Sequence, residues 1–192
     1  MKAPPPQNSF SSAAGSEQSL LESLRRREPE GLRLFYERYA GYLTAVCSRY
    51  VPDRASAQDI LQDAFLQIFD AVPRFEYRGE GSLKAWAARI TVNRALKWLR
   101  SQGRLRFVEA LPELPEEEVA DVQKVPPAVL QGFIKALPDG YRTVFNLVVF
   151  EQKSHKEVAS LLGIKEDSSA SQFFRARASL ARQINQYLKE YE

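Results

Sequence analysis

Apolar residues recur every three or four positions along nearly the whole chain, and alternating runs of β-branched residues do not occur. This spacing is typical of one buried face of an α-helix, whereas strands alternate every second residue. The sequence therefore predicts an all-α protein. Its predicted helices are residues 18–28, 30–50, 57–72, 82–102, 127–136, 139–150, 154–162 and 166–189.

The predicted helices form two groups, separated by a segment that is rich in proline and glutamate and has no helical period. We expect two small helical domains, at residues 20–103 and 127–192, joined by a flexible acidic linker at residues 104–126. Residues 1–19 are rich in proline, serine and alanine, and this composition predicts a disordered tail.

The helix predicted at residues 57–72 has the most regular pattern, and Ser56 is a plausible N-cap for it. Its outer side carries acids and amides together with one leucine. A solvated polar face is the ordinary interpretation, but a leucine among acids slightly favours a face that binds another protein. The side chains on this side are Asp59, Gln62, Asp63, Leu66, Gln67 and Asp70.

The net charge is only +3, but the charges are segregated along the chain. Residues 74–106 are strongly basic, whereas residues 107–123 carry acids and no base. A basic segment beside an acidic connector predicts a surface that faces a polyanion. Within the basic segment, the helix predicted at residues 82–102 carries Arg89, Asn93, Arg94, Lys97 and Arg100.

Residues 154–177 have the pattern of a helix-turn-helix. Ser154 and Glu157 fit a capping box at the start of the first helix, and Gly163 ends it. The second helix begins with short polar side chains that suit base edges and continues with arginines that suit phosphates. A helical hairpin without a DNA-binding role has the same pattern and stays a second interpretation. The polar side chains are Ser168, Ser169, Ser171 and Gln172, and the arginines are Arg175, Arg177 and Arg182.

The composition argues against an enzyme, because one histidine and one cysteine do not make a catalytic triad or the usual metal sites. We expect Cys47 to be a small buried residue, and we expect the protein to need no cofactor and no metal. No apolar run is long enough to span a membrane, and the N-terminus lacks the apolar core of a secretory signal. The sequence therefore predicts a cytoplasmic protein that makes no membrane contact.

Five short motifs, in order and at similar spacing, resemble the extracytoplasmic-function (ECF) subgroup of the sigma-70 family of bacterial RNA polymerase sigma factors. The resemblance covers about residues 20–185. Each motif is weak alone, and the order of the five carries the resemblance. The motifs begin at Leu34 (LFYERY), Ala57 (AQDILQDAF), Gly81 (GSLKAW, followed by RITVN), Leu137 (LPDGYRTVF) and Ser154 (SHKEVA).

This resemblance implies a factor with sigma regions 2 and 4 that binds core RNA polymerase, recognises the −35 and −10 promoter elements and opens the −10 region. The polymerase-binding residues that it implies are Asp59, Gln62, Asp63, Leu66 and Gln67. Those implied for −10 DNA are Arg78, Ser82, Lys84, Arg89, Asn93, Arg94 and Lys97. Those for −35 DNA are His155, Lys156, Ser168, Ser169, Ser171, Gln172, Arg175 and Arg177. A cognate anti-sigma factor, clamped between the two domains, is a further implied partner.

The resemblance also implies that residues 74–84 capture an unstacked base of the opened promoter. Phe75 or Tyr77 offers a ring on which that base can stack. We expect Trp86, by its position in the helical pattern, to pack in the core.

Two other classes of protein stay open as alternatives. One is a conventional helix-turn-helix regulator, whose residues 20–102 sense a signal or dimerise. The other is a helical scaffold that binds only protein. The basic helix predicted at residues 82–102 argues against both classes, because neither a sensing or dimerising domain nor a scaffold that binds only protein needs a surface for a polyanion.

Overall fold

The computed structural model describes residues 16–105, 107 and 122–191 of the chain. Over these residues the regular structure is helical and contains no strand, which confirms the predicted all-α class. The predicted tail up to residue 15 and most of the predicted acidic linker lie outside the described residues. The helices are α1 (Glu17–Arg25), α2 (Pro29–Tyr50), α3 (Arg54–Ala71), α4 (Ser82–Ser101), α5 (Pro127–Ala136), α6 (Asp139–Val149), α7 (His155–Leu162) and α8 (Glu166–Tyr191), with short 3₁₀ turns at Val72–Arg74 and Val122–Lys124.

The described residues form two compact units, as expected for two small helical domains. The first unit comprises residues 16–48 and 53–95, and it contains α1, α3 and most of α2 and α4. The second unit comprises residues 49–52 and the described residues from Leu96 onward, and it contains α5, α6, α7 and α8.

The start of α1 is set by a serine cap. The Ser16 side chain accepts a hydrogen bond from the backbone N–H of Ser19, 3.1 Å away. This N–H lies in the first turn, where the helix itself provides no acceptor for it. Residues 17–19 are therefore helical, as the helix predicted from residue 18 required, and the tail predicted at residues 1–19 extended too far. The apolar side of α1 is buried through Leu21 and Leu24.

The helix α3 begins at Arg54, earlier than its apolar periodicity predicted. Its N-cap is Asp53, whose carboxylate accepts a hydrogen bond from the backbone N–H of Ser56 at 2.8 Å. Ser56 lies inside the first turn, so its predicted role as the cap is wrong. A carboxylate at this position is also favoured by the helix dipole.

Phe35 of α2 lies at the centre of an aromatic cluster in the first unit. Its side chain is fully buried. Its ring centroid lies 5.0 Å from that of Tyr39, 6.1 Å from that of Phe65 and 5.6 Å from that of Phe69, all with inclined planes. Such edge-to-face pairs add to the stabilisation from burial alone, and they join α2 to α3.

Cys47 is buried in the first unit, which confirms the expectation from the sequence. Its thiol donates a weak hydrogen bond to the carbonyl oxygen of Ala57, with the sulfur 3.7 Å away. Burial raises the pKa of the Cys47 thiol to about 12, so the thiol stays protonated and unreactive at neutral pH.

The second unit is built around α8, which packs against α5, α6 and α7. Its buried cluster consists of Leu137, Ala176 and Leu180, and four partly buried residues pack around it. These four are Phe133, Ile134, Tyr141 and Phe145. Between α7 and α8, Gly163 adopts φ +69° and donates its N–H to the carbonyl of Ala159, the left-handed C-cap that glycine favours.

The capping box predicted at the start of α7 is confirmed. The backbone N–H of Glu157 donates to the Ser154 hydroxyl oxygen at 3.3 Å, and the backbone N–H of Ser154 donates to the Glu157 carboxylate at 2.8 Å. Hydrogen bonds from the backbone and the hydroxyl of Ser154 hold the pKa of Glu157 below its usual value. The resulting stabilisation is therefore present above the ordinary pKa and is lost as the pH falls through the lowered pKa.

We expect Ser154→Ala to lower the free energy of unfolding by about 1 kcal/mol at pH 7, because α7 loses its N-cap. Urea denaturation measures this change. The matched control is Ser160→Ala on the exposed side of the same helix, which should cost nothing. The difference between Ser154→Ala and wild type should shrink in acid, where Glu157 becomes protonated; a difference that grew in acid would contradict the capping box as its cause.

Candidate functional site

The outer side of α3 is an exposed stripe, here called the acidic face, which consists of Asp59, Gln62, Asp63, Leu66 and Gln67. The spacing of these residues by three and four places them on one side of the helix. All five are exposed, and Leu66 is 59% exposed. An exposed leucine among carboxylates and amides suits a contact with a basic protein surface that also offers apolar groups.

Arg94 of α4 lies against the acidic face. Its Nε donates a hydrogen bond to Oε1 of Gln67 at 2.6 Å, and its guanidinium lies 3.6 Å from the carboxylate of Asp63. The resemblance implies that Arg94 binds DNA and that Asp63 and Gln67 bind the polymerase, whereas the structure brings the three together. No local signal predicts this contact, because Arg94 is 27 residues from Gln67 along the chain.

The exposed side of α4 carries Arg89, Asn93 and Lys97, here called the basic face. Their spacing of four residues aligns them along the helix. Two guanidinium or ammonium groups with an amide between them can bind phosphates and address one base edge. Lys84, near the start of α4, is also exposed, and its Nζ lies 4.2 Å from the centroid of the Tyr42 ring.

The loop before α4 is here called the glycine loop and comprises residues 75–81. Gly79 and Gly81 adopt φ +109° and +89°, a region that side chains with a Cβ rarely enter. The Ser82 hydroxyl donates to the carbonyl of Gly79 at 2.6 Å and accepts from the backbone N–H of Arg78 at 3.2 Å. Ser82 thus closes the turn, while the Arg78 side chain is exposed and pairs with Glu76 at 3.4 Å.

The aromatic residues of the glycine loop differ in their surroundings. Phe75 is buried, and its ring centroid lies 4.7 Å from that of Trp86. Trp86 is half-buried rather than fully enclosed in the core. Tyr77 is also half-buried, and its hydroxyl donates to the Glu80 carboxylate at 3.5 Å. Tyr77 is therefore the loop aromatic with more of its surface accessible to a ligand.

The helix-turn-helix predicted from the sequence is present as α7 and α8. Of its predicted DNA-contacting residues, Lys156 and Arg177 are exposed, and His155 is half-buried. The remaining five side chains are buried, with Ser169 and Gln172 fully enclosed. These five are Ser168, Ser169, Ser171, Gln172 and Arg175.

The helical period explains this burial. Ser169 and Gln172 precede Ala176 and Leu180 by one to three turns on the same side of α8, and the latter two belong to the buried cluster. The Ser169 hydroxyl lies 3.0 Å from Nδ1 of His155, so it joins the start of α7 to α8. The structure therefore places Ser169 and Gln172 in the interior, where the sequence had assigned them to base edges.

Arg175 makes an internal contact as well. Its Nη1 donates to the hydroxyl of Tyr141 at 3.4 Å, and its side chain is buried between helices of the second unit. Short polar residues and one arginine on the inner side of a helix produce the same sequence pattern as a DNA-reading face. Only the packing of α8 in the structure distinguishes an inner polar face from a DNA-reading face.

No group of three or more histidine, cysteine, aspartate or glutamate residues that could hold a metal ion occurs in the part of the chain that the structure describes. None of the helices described is both long and apolar enough to cross a lipid bilayer.

Comparison with known families matches two parts of the chain. Residues 35–105 match the family described as Sigma-70 region 2, and residues 128–180 match Sigma-70, region 4. The first match contains the acidic face, the basic face and the glycine loop, and the second contains α7 and most of α8.

Relatives of known function are similar over nearly their whole length. The RNA polymerase sigma-H factor of Pseudomonas aeruginosa is 27% identical over 188 residues, which cover 91% of this chain and 96% of that protein. The ECF RNA polymerase sigma-E factor of Escherichia coli is 25% identical, over 91% of this chain and 97% of that protein. Among solved structures, CnrH in complex with the cytosolic domain of CnrY matches at 20% identity with a TM-score of 0.49, over 88% of this chain and 97% of that one.

Proposed function

The chain belongs to the extracytoplasmic-function subgroup of the sigma-70 family and is a transcription initiation factor for core RNA polymerase, and on this basis we propose which of its surfaces bind the polymerase and the two promoter elements. The acidic face of α3 binds the polymerase. The basic face of α4 and the glycine loop bind and open the −10 element. The exposed side of α7 and α8 binds the −35 element.

The observation that carries the proposal is the exposure of the whole acidic face. Five residues of one stripe face solvent, and the stripe includes Leu66. A partner that covered this apolar side chain would remove its exposed surface from water, which is favourable. Asp59 and Asp63 supply the charge that steers a basic partner to this stripe. The contact of Arg94 with Asp63 and Gln67 supports assigning Arg94 to this surface rather than to the DNA surface.

For the −10 element we propose Arg89 and Lys97 as phosphate contacts and Asn93 as a contact to a base. Their exposure in one line along α4 supports this assignment. Arg78 of the glycine loop and Lys84 at the start of α4 attract the displaced strand, and Ser82, the first residue of α4, shapes the turn that receives the base. Tyr77 is the proposed stacking partner, because Phe75 is already occupied by Trp86.

For the −35 element we propose that Lys156 and Arg177 contact phosphates, since both are exposed on the helix-turn-helix. His155 orients the start of α7 through Ser169. The proposed role of the buried residues is to hold α8 in place. These buried residues are Ser168, Ser169, Ser171, Gln172 and Arg175.

We expect Lys97→Ala and Arg94→Ala to differ in the salt dependence of promoter binding by the holoenzyme. Each phosphate contact that is lost should reduce the slope of log K against log[salt] by roughly 0.7–0.9. Lys97→Ala should show this reduction, whereas Arg94→Ala should keep the wild-type slope, because its guanidinium lies on Gln67 and Asp63. Equal reductions of the slope for the two variants would show that Arg94 contacts DNA, contrary to this assignment.

Run-off transcription by purified core polymerase, with and without this protein, on fragmented DNA from its own genome tests the proposed function. Transcripts that need the protein would support it, and their start sites would identify the promoter. An absence of such transcripts, with salt-sensitive binding to duplex DNA in the absence of polymerase, would favour the conventional helix-turn-helix regulator instead.

We also propose a cognate anti-sigma factor as a partner and the cytoplasm, where core polymerase acts, as the location. Membership of a subgroup in which such inhibitors are common supports the partner. A purified inhibitor should prevent this protein from binding core polymerase in a direct competition, and simultaneous binding of both would contradict a clamp over the two domains.

A further inference from the structure

Glu17, in the first turn of α1, is a buried carboxylate that none of the surfaces above uses. It is 1% exposed. Its side chain accepts hydrogen bonds from the hydroxyl of Tyr39 at 2.9 Å and from the backbone N–H groups of Leu83 at 3.2 Å and Lys84 at 3.0 Å. These two N–H groups lie in the first turn of α4, where a helix provides no internal partner for them. Glu17 therefore caps α4 from another helix.

A second carboxylate, from the loop before α4, binds the start of α1. Glu80, at the end of the glycine loop, accepts a hydrogen bond from the backbone N–H of Glu17 at 3.2 Å and pairs with Arg38 of α2 at 2.9 Å. The N-terminus of α4 thus receives the carboxylate of α1, and the N-terminus of α1 receives the carboxylate of the glycine loop. We call these contacts of Glu17 and Glu80 the carboxylate exchange. Helix dipoles favour both contacts, and charged acceptors make stronger hydrogen bonds than neutral ones.

The glycine loop needs such support from outside. Gly79 and Gly81 lose more conformational freedom on ordering than other residues do. Within the loop, the hydroxyl of Ser82 closes the turn. The carboxylate exchange adds restraint on both sides of Gly81, at Glu80 and at the start of α4. The ordered conformation of the loop therefore depends on the packing of α1 in its observed position.

We propose that Glu17 is a positioning residue for promoter opening, an inference that rests on the proposed role of the glycine loop. Glu17 does not touch DNA. It holds the start of α4, and with it the turn that contains Arg78 and Ser82, in one arrangement before DNA arrives. A loop that is already ordered does not add its ordering entropy to the cost of capturing a base.

The proposal distinguishes opening a duplex from binding DNA that is already open. On duplex DNA, base capture must offset the cost of unstacking the base. On a template with a mismatched, pre-opened −10 region, that cost is already met, so a poorly ordered loop has a smaller effect. Loss of Glu17 should therefore reduce transcription from duplex templates far more than from pre-opened ones.

The test compares Glu17→Gln with wild type in holoenzyme transcription from both templates, at matched occupancy of core polymerase. The substitution replaces one of the two carboxylate oxygens by an NH₂ donor, so the backbone N–H groups of Leu83 and Lys84 can no longer both find an acceptor on residue 17. We expect duplex transcription to fall about tenfold, as for loss of one charge-assisted hydrogen bond, and pre-opened transcription to stay within about twofold. The control is Glu22→Gln, which removes an exposed carboxylate from the same helix and should match wild type on both templates.

Glu80→Gln provides a second variant, because the Glu80 side chain is exposed and its replacement places no new polar group in the core. It should show the same template dependence to a smaller extent. Equal losses on the two templates, or no loss on duplex DNA for either variant, would overturn the positioning role. Wild-type protein that directs transcription from neither template would instead overturn the proposed function itself.

Discussion

Asp59→Arg should abolish transcription directed by this protein without unfolding it. Asp59 is exposed on the acidic face of α3, so reversal of its charge replaces attraction to a basic polymerase surface by repulsion. Like charges brought together at an interface cost several kcal/mol, so the affinity for core polymerase should fall by at least about 100-fold. Direct titration of labelled protein with core polymerase measures the affinity, and run-off transcription measures the consequence.

The matched control for Asp59→Arg is Glu22→Arg, which makes the same change of charge at an exposed position of α1. This variant should bind core polymerase as wild type does, so a general effect of net charge is separated from an effect of the acidic face. Asp59 is preferred to Asp63 for the test, because an arginine at position 63 would also repel Arg94. Wild-type affinity of Asp59→Arg for core polymerase would contradict the assignment of this face.

Phe35→Ala should lower the free energy of unfolding by about 3–5 kcal/mol, the usual cost of deleting a buried aromatic ring. Phe35 is fully enclosed and contacts the rings of Tyr39, Phe65 and Phe69, so its removal leaves a cavity and breaks three ring pairs. Small domains are stable by only about 5–15 kcal/mol, so the loss is a large part of the total. Urea denaturation followed by tryptophan fluorescence measures it.

Leu66→Ala is the counterpart to Phe35→Ala on the surface of the same unit. Leu66 is 59% exposed, so its truncation should change stability by no more than about 0.5 kcal/mol. The affinity of the Leu66→Ala variant for core polymerase should nevertheless fall, because the truncation removes the apolar side chain that we propose the polymerase covers. Comparable losses of stability for the two variants would contradict the described packing of α2 against α3.

The helices and several of their ends were predictable from the sequence, because they depend on residues three or four positions apart. The capping box of Ser154 and Glu157 is the clearest case, and Gly163 as the end of α7 is another. Where such predictions failed, a competing cap of the same kind was nearby. Asp53 rather than Ser56 begins α3, and Ser16 begins α1 before the residue at which its apolar pattern starts.

The polar residues of α8 mark the limit of local patterns. Ser169 and Gln172 have the composition of a DNA-reading face, yet they share the side of the helix that carries Ala176 and Leu180. Burial of a short polar side chain depends on the helices that pack against it, and neighbours along the chain do not reveal this. Lys156 and Arg177, by contrast, are exposed, as long charged side chains usually are.

The sequence by itself therefore determined the all-α class, the two helical units, and the motifs that place the chain among ECF sigma factors. The class and the two units arise from periodicity and composition, which the chain carries locally, and the motifs identify the family through their resemblance to its members. Only the tertiary structure decided that Arg94 joins the acidic face and that Glu17 caps α4, 67 residues away from Lys84. A hydrogen bond needs its two groups within about 3 Å, and for groups so distant along the chain only the packing of the helices determines that separation.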